Sequence, residues 1–210
     1  MKLSKSEKAI YKNHYKDDLA IYKAERKTDK VKEKTCQLNM RCSPWRFERA
    51  IKIITKVDAI KDIGFGGMLR VKQLRIRKGL CHWLLKRFNL TPCTMAINNR
   101  PVNVLEADGA SIFSLNNGGM DVVTLGDYGT MSKMCQKLNL NVKGEIKVKI
   151  LEEELITRAG VDDELKGKFI LYCLGILLCP CMRESVDRKF VYSLTENAFA
   201  SNINWGSVTI

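Results

Sequence analysis

Residues 169 to 179 read FILYCLGILLC, an unbroken run of eleven apolar residues. About 20 are needed to cross a bilayer, so this run predicts a helix that protein must cover on every side. Asp162 and Asp163 begin the predicted helix, acidic groups at its positive end, and Pro180 stops it after Leu178. A helix apolar nearly all round is the natural centre of a core, and the remaining elements are expected to pack around it.

The other periodicities are mostly helical. Ser43-Pro44 supplies an N-cap and a proline at the first helical position, followed by Trp45, Ala50, Ile51, Ile53 and Ile54. Thr55 and Asp58 resemble a capping box, predicting a short helix over 56–63 that Gly64 ends. Leu80, Trp83, Leu84 and Phe88 fall at helical spacing, with Lys86 and Arg87 on a basic exterior. Further helices are predicted over 105–115, 131–138, 147–158 and 186–195. After Pro92 the period changes to two: Met95 and Ile97 are expected to face Val102 and Val104 across a turn at Asn99-Arg100. The fold class that follows is mainly α, a single helical domain over 42–210 with one small β-hairpin at about 94–104. Residues 1–41, polar with a thin stripe of Tyr11, Tyr15, Leu19 and Tyr22, read as a basic N-terminal arm, helical or disordered. The chain's stop soon after Asn204-Trp205-Gly206 suggests a C-terminal truncation.

Charge narrows the function. The formal net charge is +13, but residues 41–90 hold 13 Lys/Arg against 3 Asp/Glu, whereas residues 91–210 hold 12 against 14. Such a local field favours polyanionic partners, nucleic acid or an acidic protein surface. Arg70, Lys72, Arg75, Arg77 and Lys78 are the candidate binding residues, placed to neutralise phosphates or acidic side chains.

Competing chemistries fit poorly. Gly64-Phe65-Gly66-Gly67 lacks the spacing of a phosphate loop or a dinucleotide turn and reads as a tight turn with Phe65 in the core. The eight cysteines form no paired CxxC or CxxH knuckle, and with no secretory signal ahead of them they are expected to be free thiols in a reducing compartment, nuclear or cytoplasmic. Only His14 and His82 could serve a thiol protease, and neither sits in a triad-like pattern. No catalytic residue, metal, cofactor, membrane segment or small-molecule substrate is expected.

The ordered motifs CSPWRFERAI, IGFGGMLRVK, LCHWLLKRFNLTPCTMAINNRPVNV, LNNGG, DDELKGKFILYCLGILLCP and INWG, spanning residues 42 to 206, resemble the plant mobile domain, also labelled aminotransferase-like. The resemblance implies a mostly helical domain in a transposable-element-derived plant protein, of the kind often found upstream of a ubiquitin-like-protein protease, with some members acting in nuclear silencing. Lys78-Gly79 and Leu115-Asn116 stand where that family usually has Leu-Pro. The expected function is a non-catalytic interaction module; the alternatives are an accessory region of such a protease or a transposon remnant.

Overall fold

A computed structural model describes residues 42–72, 77–98, 100–181 and 183–209. Arg75 and the arm over 1–41 lie outside them. In chain order the elements are α1 (Pro44–Ile53), α2 (Val57–Asp62), a 3-10 turn (Met68–Arg70), α3 (Lys78–Leu85), β1 (Phe88–Asn89), β2 (Thr94–Ile97), β3 (Arg100–Asn103), α4 (Glu106–Phe113), α5 (Tyr128–Lys137), β4 (Ile146–Lys147), α6 (Val148–Thr157), α7 (Asp163–Cys173), a π turn (Leu174–Leu178), β5 (Ser185–Val186), a 3-10 segment (Arg188–Ser193), α8 (Glu196–Phe199) and a last 3-10 segment (Trp205–Thr209). The chain is mainly α with a small three-stranded antiparallel sheet. The sequence reading drew one domain over 42–210; the described residues there group into two compact units, a larger one of 41–75 with 105–210 and a smaller one that includes 76–104.

In the larger unit the apolar run does what its composition requires. Asp162 accepts the Leu165 N–H at 2.9 Å, capping α7, and Asp163 and Glu164 occupy the first turn. Every residue from Phe169 to Leu177 is buried. Phe47 of α1 stacks on Tyr172 at 5.7 Å, and Phe65 meets Phe169 edge-on at 6.2 Å. Beyond Cys173 the helix widens into the π turn, where Cys179 N–H reaches the Leu174 carbonyl at 2.7 Å. A Cβ added at Gly175 would lie 2.6 Å from Val186 and 2.7 Å from Val148, so the hydrogen-only side chain lets α6 and β5 close on this turn.

Among the described residues one charged side chain enters this core. Lys168 is 1% exposed, and its Nζ meets Glu164 at 2.6 Å and Glu154 at 2.7 Å. Arg158 extends the network to Glu164 and Asp162, each at 2.7 Å. Burial raises the Glu164 pKa, but bonds from Lys168 and Arg158 outweigh it and hold the carboxyl below its usual value. Beside it, Arg46 and the Tyr172 hydroxyl both bond Glu152, at 2.6 and 3.1 Å.

Several local expectations need correction. Thr55 makes no cap for α2; Lys56 occupies the N-cap without a side-chain bond. The helix expected over 186–195 is instead a strand and a 3-10 segment. Val186 pairs with Ile146, and Asp187 accepts the Lys189 N–H at 3.1 Å, starting a tighter turn. Phe88 does not extend α3 but pairs with Met95 in β1. The hairpin turn opens at Asn98, one residue earlier than expected, so that Ile97 pairs with Arg100 and Met95 with Val102. Asn98 has φ +49°, a left-handed conformation that asparagine tolerates and that a two-residue hairpin turn demands.

The smaller unit is built differently. Its sheet order is β1-β2-β3, and none of its described residues is buried. Asn89 Oδ1 accepts the Thr91 N–H at 3.2 Å and Cys93 takes φ +48°, which turns β1 back into β2.

Candidate nucleic-acid interface

The predicted binding residues divide between the two units. Arg70 and Lys72, both exposed, belong to the larger. Arg77, exposed, is the N-cap of α3 in the smaller, and Lys78 is the first residue of that helix. Arg75 lies outside the described residues.

Arg70 is held by the glycine motifs. GFGG, LNNGG and INWG, separated by dozens of residues in sequence, converge in the larger unit. The Asn116 side chain donates to the Ser201 carbonyl at 3.0 Å, Gly206 N–H to the Asn116 carbonyl at 3.0 Å, and Asn204 N–H to the Met120 carbonyl at 2.8 Å. Trp205, 1% exposed, packs edge-on against Phe65 at 5.8 Å, as the expectation of a core Phe65 required. Gly64 has φ +80°, and a Cβ there would meet Ser201 Oγ at 2.2 Å; at Gly67 a Cβ would lie 2.3 Å from the Phe113 carbonyl. Glycine is thus required at 64 by its left-handed backbone and at 67 by the close approach of the Phe113 carbonyl. Gly67 leads directly into the 3-10 turn that ends in Arg70, whose guanidinium donates to Ser114 Oγ at 3.0 Å.

In the smaller unit the basic set is wider than the sequence reading proposed for the site. Between Asp62 and Glu106 the chain has no carboxylate side chain and eight Arg/Lys. Besides Arg77 and Lys78 the smaller unit carries Lys86, Arg87 and Arg100. Lys86 and Arg100 are exposed. The Arg87 guanidinium lies 4.0 Å from the Trp83 ring centroid and donates to the Trp83 carbonyl at 3.3 Å, so Trp83 orients a cation as well as packing. The gap in carboxylates, rather than the density of cations, was the signal that would have included Arg100.

Other chemistry is accounted for locally. The seven described cysteines are free thiols. Burial pushes the thiols of Cys135, Cys173 and Cys179 up. Burial raises Cys181 too, but its bonds with Ser185 prevail and lower it. Among the described residues no three His, Cys, Asp or Glu side chains are grouped to hold a metal ion, and no helix is long and apolar enough to cross a membrane.

No curated protein and no solved structure matches the chain. Residues 40–210, covering both described units, match a family model, and the chain therefore belongs to that family, described as a domain of unknown function (DUF8566).

Proposed function

We propose that the protein is a non-catalytic, nucleic-acid-binding interaction module. The observation that carries this reading is the acid-free stretch from 63 to 105, with Arg70, Lys72, Arg77, Lys86 and Arg100 exposed along it. A run of one sign attracts a polyanion and releases its counterions, which makes binding steeply salt-dependent and largely indifferent to sequence. Five of the eight cations are arginine, whose planar fork matches phosphate oxygens better than a lysine ammonium does. The resemblance to plant mobile domains supports the same reading and adds a transposon-derived, nuclear setting.

The test is a salt titration of binding to a mixed-sequence DNA duplex, a single-stranded RNA and polyglutamate. Wild type is compared with a variant in which Arg70, Lys72, Arg75, Arg77 and Lys78 are all glutamine. Affinity for nucleic acid should fall linearly in log-log form with a slope of about −0.9 per phosphate neutralised on duplex, and the variant's slope should be shallower. Equal affinity for polyglutamate would assign these cations to an acidic protein partner. Folded wild type that binds none of the three would end the proposal.

A further inference from the structure

The β2-β3 hairpin has features that its flanking cations lack. All four β3 residues, Arg100, Pro101, Val102 and Asn103, are exposed, as are Ala96 and Asn98. The Val104 N–H bonds the Cys93 carbonyl at 2.8 Å, and alternation along the ladder from there makes Met95–Val102 and Ile97–Arg100 hydrogen-bonded pairs. Ala96–Pro101 is then a non-bonded pair, so the position where Pro101 lacks an N–H faces the open edge. That edge is a poor acceptor of an added strand, and a partner must engage the ribbon by its faces and tip.

Those faces carry base-reading chemistry. Directly paired residues share a face, so Arg100 and Val102, the latter 45% exposed, lie on one side with Met95 and Ile97; Thr94, Ala96, Pro101 and Asn103 form the other, small and uncharged. Asn98 stands at the tip beside the rung that Arg100 closes. An arginine fork matches the acceptor pair of guanine, an asparagine amide the donor and acceptor of adenine, and an apolar side chain the methyl of thymine. Beyond the Phe88–Met95 pairing, from Ala96–Pro101 to the tip, the sheet is two strands wide, spaced about 4.8 Å apart, and that end is narrow enough for a major groove about 12 Å wide.

We infer, on the basis of the nucleic-acid reading above, that this hairpin enters the major groove of a DNA duplex, where Asn98, Arg100 and Val102 contact base edges. Arg77, Lys86 and Arg87 supply phosphate contacts that position it. The division is the usual one in DNA recognition, in which backbone contacts set the register and base contacts carry the sequence information.

The experiment selects sites from a randomised duplex pool with the full-length protein and measures affinity for the enriched site against a scrambled duplex. Wild type should enrich a short motif. Arg100→Lys, which keeps the charge and loses the fork, and Asn98→Gly, which keeps the left-handed turn, should each reduce discrimination at one base pair by about 5- to 150-fold. Each should weaken binding to the enriched site more than binding to the scrambled duplex. Both substitutions are at exposed positions, and circular dichroism checks that each variant folds. Duplex binding without an enriched motif, or a motif unaltered in both variants, would overturn the hairpin assignment while the nucleic-acid reading stood. Binding to single-stranded RNA alone would do the same. No binding to any nucleic acid would remove both.

Discussion

The two units use their cations in opposite ways. In the larger, Lys168, Arg158, Arg46 and Lys137 each meet a carboxylate within 2.6 to 2.8 Å, and Lys168 is drawn into the core by its two partners. In the smaller, residues 77–104 contain five Arg/Lys and no carboxylate, so no ion pair can form within that segment. The larger unit's ion pairs help to specify its own fold, whereas residues 77–104 carry charge of one sign on a segment with no buried described residue. Net charge alone does not separate these uses; the location of the carboxylates does.

The sharpest way to break this comparison is to remove a charge from each side. Lys168→Ala leaves Glu154 and Glu164 without their shared partner, and should destabilise the larger unit by about 3–5 kcal/mol in urea unfolding. A much smaller loss would mean that the network is surface-like. Gly67→Ala tests whether the glycine junction is as tight as its geometry indicates: with a Cβ 2.3 Å from a carbonyl oxygen, it should cost about 1–3 kcal/mol. Removing the cap with Asp162→Ala should cost about 1 kcal/mol. The Leu165 N–H first, and Arg158 second, hold the Asp162 carboxyl below its usual 3.8, so its stabilisation is complete above that value and is lost as the pH falls through the lower folded value. Asp162→Asn retains an acceptor and should flatten that acid-side loss. At the small end, Arg77→Gln combined with Arg100→Gln should move stability by less than about 0.5 kcal/mol while weakening nucleic-acid binding. A stability loss like that of Lys168→Ala would erase the distinction between the units.

How far the sequence exposed this architecture depended on how local the determining contacts are. Pro44 at the start of α1, Gly64 at the end of α2 and the core helix were legible because a ring, a left-handed backbone and eleven apolar residues each act on their own segment. The hairpin was legible as a hairpin, but its register depended on whether Asn98 or Asn99 opened the turn, a choice between similar residues. Phe88 suits a helix face as well as a strand, and the pairing partner Met95 decided it. The burial of Lys168 was not legible, since Glu164 one turn earlier suggests an ordinary exposed pair and only Glu154 from α6 completes the enclosure. Of the candidate site, Arg70, Lys72, Arg77 and Lys78 were readable from density; Arg100 needed the carboxylate gap and the hairpin geometry.

The glycine junction also sets an order for synthesis on the ribosome. Phe65 packs against Trp205, and Arg46 reaches Glu152, so residues 42–72 cannot complete their contacts until the chain has grown past position 205. Residues 77–104, interposed in that interval, have their strand partners within twenty residues of one another. The nascent chain therefore holds an unfinished apolar segment throughout most of its elongation, a window in which chaperone capture would compete with folding.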